Sequence, residues 1–93
     1  YIHKPVAFAG VSSGGWGGVR AIESLVSAVR EMGLIATFTD MQFPRVQELF
    51  SDEGVLLDEK YPMYARGCID ELIWMATVLK YGRQNIASKH HKD

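Results

Sequence analysis

The sequence predicts an α/β fold on parallel strands, with a glycine-rich loop joining a buried strand to an amphipathic helix. Three observations carry that expectation. Residues 5–11, Pro-Val-Ala-Phe-Ala-Gly-Val, are apolar almost throughout, as in a short strand covered on both faces. Residues 12–18, Ser-Ser-Gly-Gly-Trp-Gly-Gly, place four glycines in seven positions, which suits neither a helix nor a strand interior. Residues 34–39, Leu-Ile-Ala-Thr-Phe-Thr, are rich in β-branched and aromatic types, the composition of a second strand.

Each element has its own justification. Pro5 stands at the leading edge of the first strand, where a missing N–H costs least. From Val19 to Met32 the apolar residues Val19, Ile22, Leu25, Val26, Val29 and Met32 follow three-and-four spacing. Arg20, Glu23, Ser24, Ser27 and Arg30 fall largely on the other side, so this segment is a helix with one apolar stripe. Gly33 stands where a glycine in the left-handed conformation stops a helix. Strand, loop, helix and strand together make a βαβ unit, for which a right-handed crossover and parallel strands are expected.

Downstream the signals are shorter. Pro44 precedes a short helix over Arg45–Phe50, residues 51–54 read as a turn, and residues 55–57 as a brief extended piece. Asp58 is the expected N-cap of a final helix with Pro62 in its first turn. Ile69, Leu72, Ile73, Ala76, Val78 and Leu79 supply its apolar stripe, and Gly82 its stop. Residues 84–93 are a polar tail expected to fray.

Ninety-three residues make one small domain, which buries only about 60–65% of its unfolded surface. The 47% hydrophobic and 23% charged shares are those of an ordinary soluble protein. A net charge of -1 and a pI near 6.3 give no electrostatic reason for nucleic acid or an anionic membrane as partner. No apolar run approaches the ~20 residues that span a bilayer, and no basic-then-apolar leader is present. Cys68 is the only cysteine, which rules out an internal disulfide and makes a reducing cytoplasm the expected location.

The glycine loop is the one segment with chemical content. At the carboxyl end of a parallel strand it lies where open α/β sheets bind ligands. Glycines let main-chain N–H groups approach a ligand closely, and the following helix adds roughly half a positive charge at its start. Gly18 is followed by Val19 and Arg20, not Lys and Ser or Thr, so this is no standard nucleotide P-loop. Gly14, Gly15, Gly17 and Gly18 also lack the spacing of the dinucleotide fingerprint. Two readings stay open here: a cradle for an anionic or carbonyl-rich group, or simply a tight strand-to-helix turn.

Lys4-Pro5-Val6, followed by Ser12-Ser13-Gly14-Gly15-Trp16-Gly17-Gly18-Val19-Arg20-Ala21, resembles the fourth strand and following loop of the NADPH-dependent FMN reductase family. Phe50-x-Asp52-Glu53-Gly54-x-Leu56-x-Asp58-Glu59 and Glu71-Leu72-x-Trp74 extend the likeness, which runs from Lys4 to about Arg83. That family includes flavin, quinone, azo-dye and chromate reductases. The resemblance implies a partial flavodoxin-like three-layer fold, with residues 4–83 as its C-terminal half, the last two βα units. It assigns Ser12 as the leading FMN contact, with Ser13, Gly14 and Gly15 beside it, hydrogen bonding to the pyrimidine edge of the ring. Donors there favour the reduced, negatively charged flavin.

Two of the family's segments have no counterpart. These are the Ser/Arg/Asn-rich phosphate loop and the Pro-Glu-Tyr-Asn segment beneath the ring, both of which belong upstream of Tyr1. With the Tyr start, this gives the expectation of a fragment that binds FMN weakly or not at all. The implied activity is an NAD(P)H oxidoreductase passing hydride through FMN to a quinone, free flavin or similar small acceptor. No side chain here is expected to act as acid or base, since the cofactor carries the hard chemistry. A homo-oligomer, dimer or tetramer, is the expected assembly. The alternatives are an α/β interaction module that completes its sheet with another chain, and an inactive fragment.

Other candidates weigh less. Trp16 either borders the ring or packs on a neighbouring surface. Arg20 reads as a solvated helix-face residue. His3, His90 and His91 do not make a metal site, because adjacent side chains in a polar tail diverge. Cys68 reads as structural. Trp74, Met75 and Tyr81 are expected to pack, with surplus apolar surface available for oligomerisation. Asp52, Glu53, Asp58 and Glu59 are spaced as a turn and a helix start, not as a catalytic carboxylate pair.

Overall fold

The computed structural model describes residues 1–90. The chain is a small α/β unit with four short strands: β1 (Pro5–Val6), β2 (Ala9–Val11), β3 (Ile35–Ala36) and β4 (Met41–Phe43). Two helices complete it, α1 (Val19–Glu31) and α2 (Lys60–Asn85). β1 pairs with β3 and β2 with β4, both parallel, as the βαβ reading expects.

The first strand is thus one extended run broken at Ala7–Phe8, and the second run is longer than expected, reaching Phe43. Pro5 pairs with Ile35 and Val6 with Ala36; pairing resumes at Ala9 with Met41. Four residues, Thr37 to Asp40, therefore stand opposite two, Ala7 and Phe8. The Thr37 N–H still reaches the Val6 carbonyl at 2.9 Å, and the Met41 N–H reaches Phe8 at 3.0 Å. The surplus bulges out between those bonds, in the manner of an enlarged β-bulge.

α1 ends as Gly33 predicts. Gly33 has φ +89°, its N–H donates to the Arg30 carbonyl at 3.0 Å, and the Leu34 N–H reaches Val29 at 3.1 Å. This pair of bonds is the Schellman closure of a helix. Residues 46–48 form a single turn of 3-10 helix, shorter than the expected Arg45–Phe50. Ser51 holds the next turn, its hydroxyl accepting the N–H groups of Glu53 and Val55 at 3.3 and 3.1 Å. A lone antiparallel bridge then pairs Phe50 with Leu56. Asp58 accepts the Lys60 N–H through Oδ1 at 3.0 Å, although the residue before the helix is Glu59.

Two expectations for α2 are corrected. Gly82 does not stop the helix, which continues to Asn85; the glycine keeps a helical φ, and a Cβ there would meet nothing. The expected polar tail starts inside this helix, and its residues 91–93 lie outside the described residues. The packed face is also rotated from the expected stripe. Cys68 is buried and Leu72, Met75 and Leu79 are part-buried, whereas Ile69, Ile73 and Val78 are exposed. Polar and apolar residues are spread around α2 without one clear stripe, so periodicity alone did not identify the face that packs.

Paired residues Gly10 and Gln42 share one face of the β2–β4 ribbon, and Gly10 abuts Ile22 and Gly18 at the start of α1. Phe43 points to the other face, where its ring stacks on Tyr61 of α2 at 5.6 Å. The helices therefore cover opposite faces, giving three thin layers. Phe8, Ile22, Leu49 and Cys68 are the buried apolar residues, and no side chain is fully buried among the described residues.

This coverage is incomplete. The accessible surface is 7114 Å², against about 5,400 Å² for a compact chain of this mass. The radius of gyration is 16.2 Å, against about 12 Å. Exposed Val11, Leu25, Phe38, Ile73 and Trp74 form more apolar surface than such a fold usually leaves in water.

Candidate functional site

The glycine loop leaves the carboxyl end of β2 and enters α1 through Gly17 and Gly18, with φ of +61° and +80°. Side chains are excluded at two of its positions and at Gly10 on the strand beneath. A Cβ on Gly10 would overlap the Gly17 carbonyl oxygen, one on Gly17 would lie 2.8 Å from Gln42 Cβ, and one on Gly18 would lie 2.9 Å from Gly10 Cα. These glycines seat the first turn of α1 directly on the strand backbone. That much is the tight-turn reading. Gly14 differs: a Cβ there would meet nothing within 4 Å, so packing does not require its lack of a side chain.

The loop is zipped to residues 43–47, which follow β4. The Ser12 N–H donates to the Phe43 carbonyl at 3.1 Å, and the Val46 N–H to Ser12 at 3.0 Å. The Arg45 N–H reaches the Gly14 carbonyl at 2.8 Å, and Gln47 Nε2 the Ser13 carbonyl at 3.1 Å. The Ser12 hydroxyl accepts the Gly17 N–H at 2.9 Å and donates to the Gly14 carbonyl at 3.0 Å. Its proton is committed inside the loop, which leaves only a lone pair to offer a ligand.

The carbonyls of Ser12, Ser13, Gly14 and Trp16 are thus occupied, while four successive donors are not. The main-chain N–H groups of Ser13, Gly14, Gly15 and Trp16 have no hydrogen-bond partner among the described residues. Successive free N–H groups ahead of a helix start create positive potential and suit an anion or a carbonyl edge. Ser13, Gly14, Gly15 and Trp16 are all exposed, so a ligand can reach them.

Arg45 adds a formal charge that sequence reading missed. Its backbone is left-handed, φ +46°, and a Cβ on Gly15 would lie 3.3 Å from Arg45 Nη2. The guanidinium therefore lies against the loop. In sequence Arg45 is merely a polar residue after a proline, and only the parallel pairing of β2 with β4 brings it there.

The other candidates separate from this site. Trp16 projects from the loop, 74% exposed. Arg20 is exposed on α1. Cys68 is buried on α2, consistent with a structural thiol. Asp52 and Glu53 lie in the turn after residue 51, and Asp58 and Glu59 just ahead of α2. Among the described residues, no three His, Cys, Asp or Glu converge as a metal site; His91 lies outside that range. No helix among them is long and apolar enough to cross a membrane. Comparison with protein-family models, with curated proteins and with solved structures finds no match.

Proposed function

We propose that this chain forms the ring-facing loop of a flavodoxin-like, FMN-dependent NAD(P)H oxidoreductase. The observation that carries the reading is the row of unpartnered N–H groups over Ser13–Trp16, exposed at the carboxyl end of a parallel strand. Such donors complement the carbonyl-rich pyrimidine edge of a flavin. Ser13, Gly14 and Gly15 would hold that edge through their main-chain N–H groups, and the Arg45 guanidinium would favour its reduced, anionic form. Ser12 would act by shaping the loop. FMN supplies the hydride chemistry when bound; the residues here orient the ring and bias its charge. The acceptor would be a quinone, a free flavin or a similar small molecule.

The test uses the complete gene product. Purified protein is expected to be yellow and to oxidise NAD(P)H when a quinone is added. Gly14→Ala, which places a methyl in open space before the free donors, is expected to lower FMN affinity about tenfold while leaving the fold intact. A colourless, inactive product would overturn the reading.

A second reading is favoured by the exposed apolar surface of both helices and by Val11, Trp16 and Phe38. In it the chain is an interaction module that completes its sheet with another chain, and the loop only turns. A stable oligomer whose size on gel filtration does not change with FMN would favour it.

A further inference from the structure

On the α2 side of the β2–β4 ribbon, two adjoining cavities run between the residues around β4 and the first half of α2. The first, about 300 Å³, is lined by Asp40, Gln42, Phe43, Tyr61 and Tyr64 among others. The second, about 380 Å³, shares Asp40 and Tyr64 and continues past Thr39, Met63 and Glu71.

Their chemistry is one-sided. Each contains a carboxylate, and among the described residues neither is lined by a lysine or an arginine. The first presents aromatic walls: Phe43 and Tyr61 are stacked at 5.6 Å, and Tyr64 meets Tyr61 edge-on at 6.2 Å. Ring faces attract cations, the more so where water is partly excluded, and concave walls of one charge sign concentrate ions of the other.

We infer that this groove binds an aliphatic diamine or polyamine. One ammonium lies against Tyr61 and Tyr64 beside Asp40, the methylene stem runs over Met63, and the second ammonium lies near Glu71. An anion would meet two carboxylates. A neutral planar ligand would desolvate them without compensation.

The inference is independent of the flavin reading and is tested without flavin. Cadaverine is titrated into the full chain by calorimetry, with amide shifts recorded by NMR, beside the neutral isostere pentanediol. Saturable cadaverine binding with shifts at residues 39–43 and 61–71 is expected, at least about fivefold tighter than pentanediol. Asp40→Asn and Glu71→Gln should each weaken it about fivefold, with melting temperature held or raised. Tyr61→Leu should weaken binding too, and Tyr64→Leu serves as a second aromatic variant should the first fail to fold. Equal affinity for pentanediol, insensitivity to Asp40→Asn and Glu71→Gln, displacement by magnesium chloride at matched charge, or no saturable binding would each overturn the inference.

Discussion

The Ser12 hydroxyl accepts the Gly17 N–H at 2.9 Å, tying the first residue of the glycine loop to the last residue but one. Ser12→Ala removes that acceptor from a part-buried N–H and frees the Gly14 carbonyl of one of its two donors. A loss of about 1 kcal/mol is expected in urea denaturation. Exchange of the Gly17 amide should accelerate at the same time, and an unchanged Gly17 rate would show that the bond does not hold the loop.

Gly10 and Gly14 make a paired test of the loop. Gly10→Ala drives a methyl into the Gly17 carbonyl, and neither backbone can retreat without lifting α1 from the strand. The expected loss is about 3 kcal/mol. Gly14→Ala adds its methyl in open space at a position without positive φ. There the stiffer unfolded chain should leave stability unchanged or raised by about 0.5 kcal/mol. Denaturation midpoints of the two variants check the contrast.

Thr39→Val replaces an orphaned hydroxyl by a methyl of nearly the same shape. Removing the unmet polar group should stabilise the chain by about 1 kcal/mol. A destabilised variant would mean that the hydroxyl has a partner in solution.

Arg83 Nη1 donates to the His3 carbonyl at 2.7 Å, anchoring the strand entry to the end of α2 across the chain. The His3 N–H in turn reaches the Gly33 carbonyl at 2.9 Å, so this contact braces three segments. Arg83→Met keeps the stem and loses the charge-assisted bond. About 1 kcal/mol should be lost in thermal or urea denaturation, with faster exchange at the His3 amide.

The βαβ unit was legible because its signals are local. The apolar run, the four glycines, the three-and-four spacing of α1 and the left-handed Gly33 each act within a few residues. β4 was not legible as part of the second strand, because Asp40 and Gln42 interrupt its apolar character and the bulge precedes it. The face of α2 was misread because Ile69, Ile73 and Val78 look as suited to burial as Cys68, Leu72 and Met75; only the sheet selects between them. Ser12 was read from the sequence as a flavin contact; its hydrogen bonds to Gly17 and Gly14 gave no signal there, because they depend on how the loop folds back on itself. Arg45 gave no local signal, since its place beside Gly15 depends on β2 and β4, paired with a register offset of 32 residues, coming together.

The surplus segment between β3 and β4 has a consequence of parity. Because it exceeds the opposing stretch by two residues, alternation resumes in phase after it. Met41 and Phe43 look towards α2, and Gln42 looks towards Gly17. Shortening the stretch by a single residue would exchange those aspects, turning Gln42 onto the Tyr61 ring and Phe43 against the turn into α1. Natural length variation here should therefore come in steps of two, and an odd step would require the chain to find another way of joining its halves.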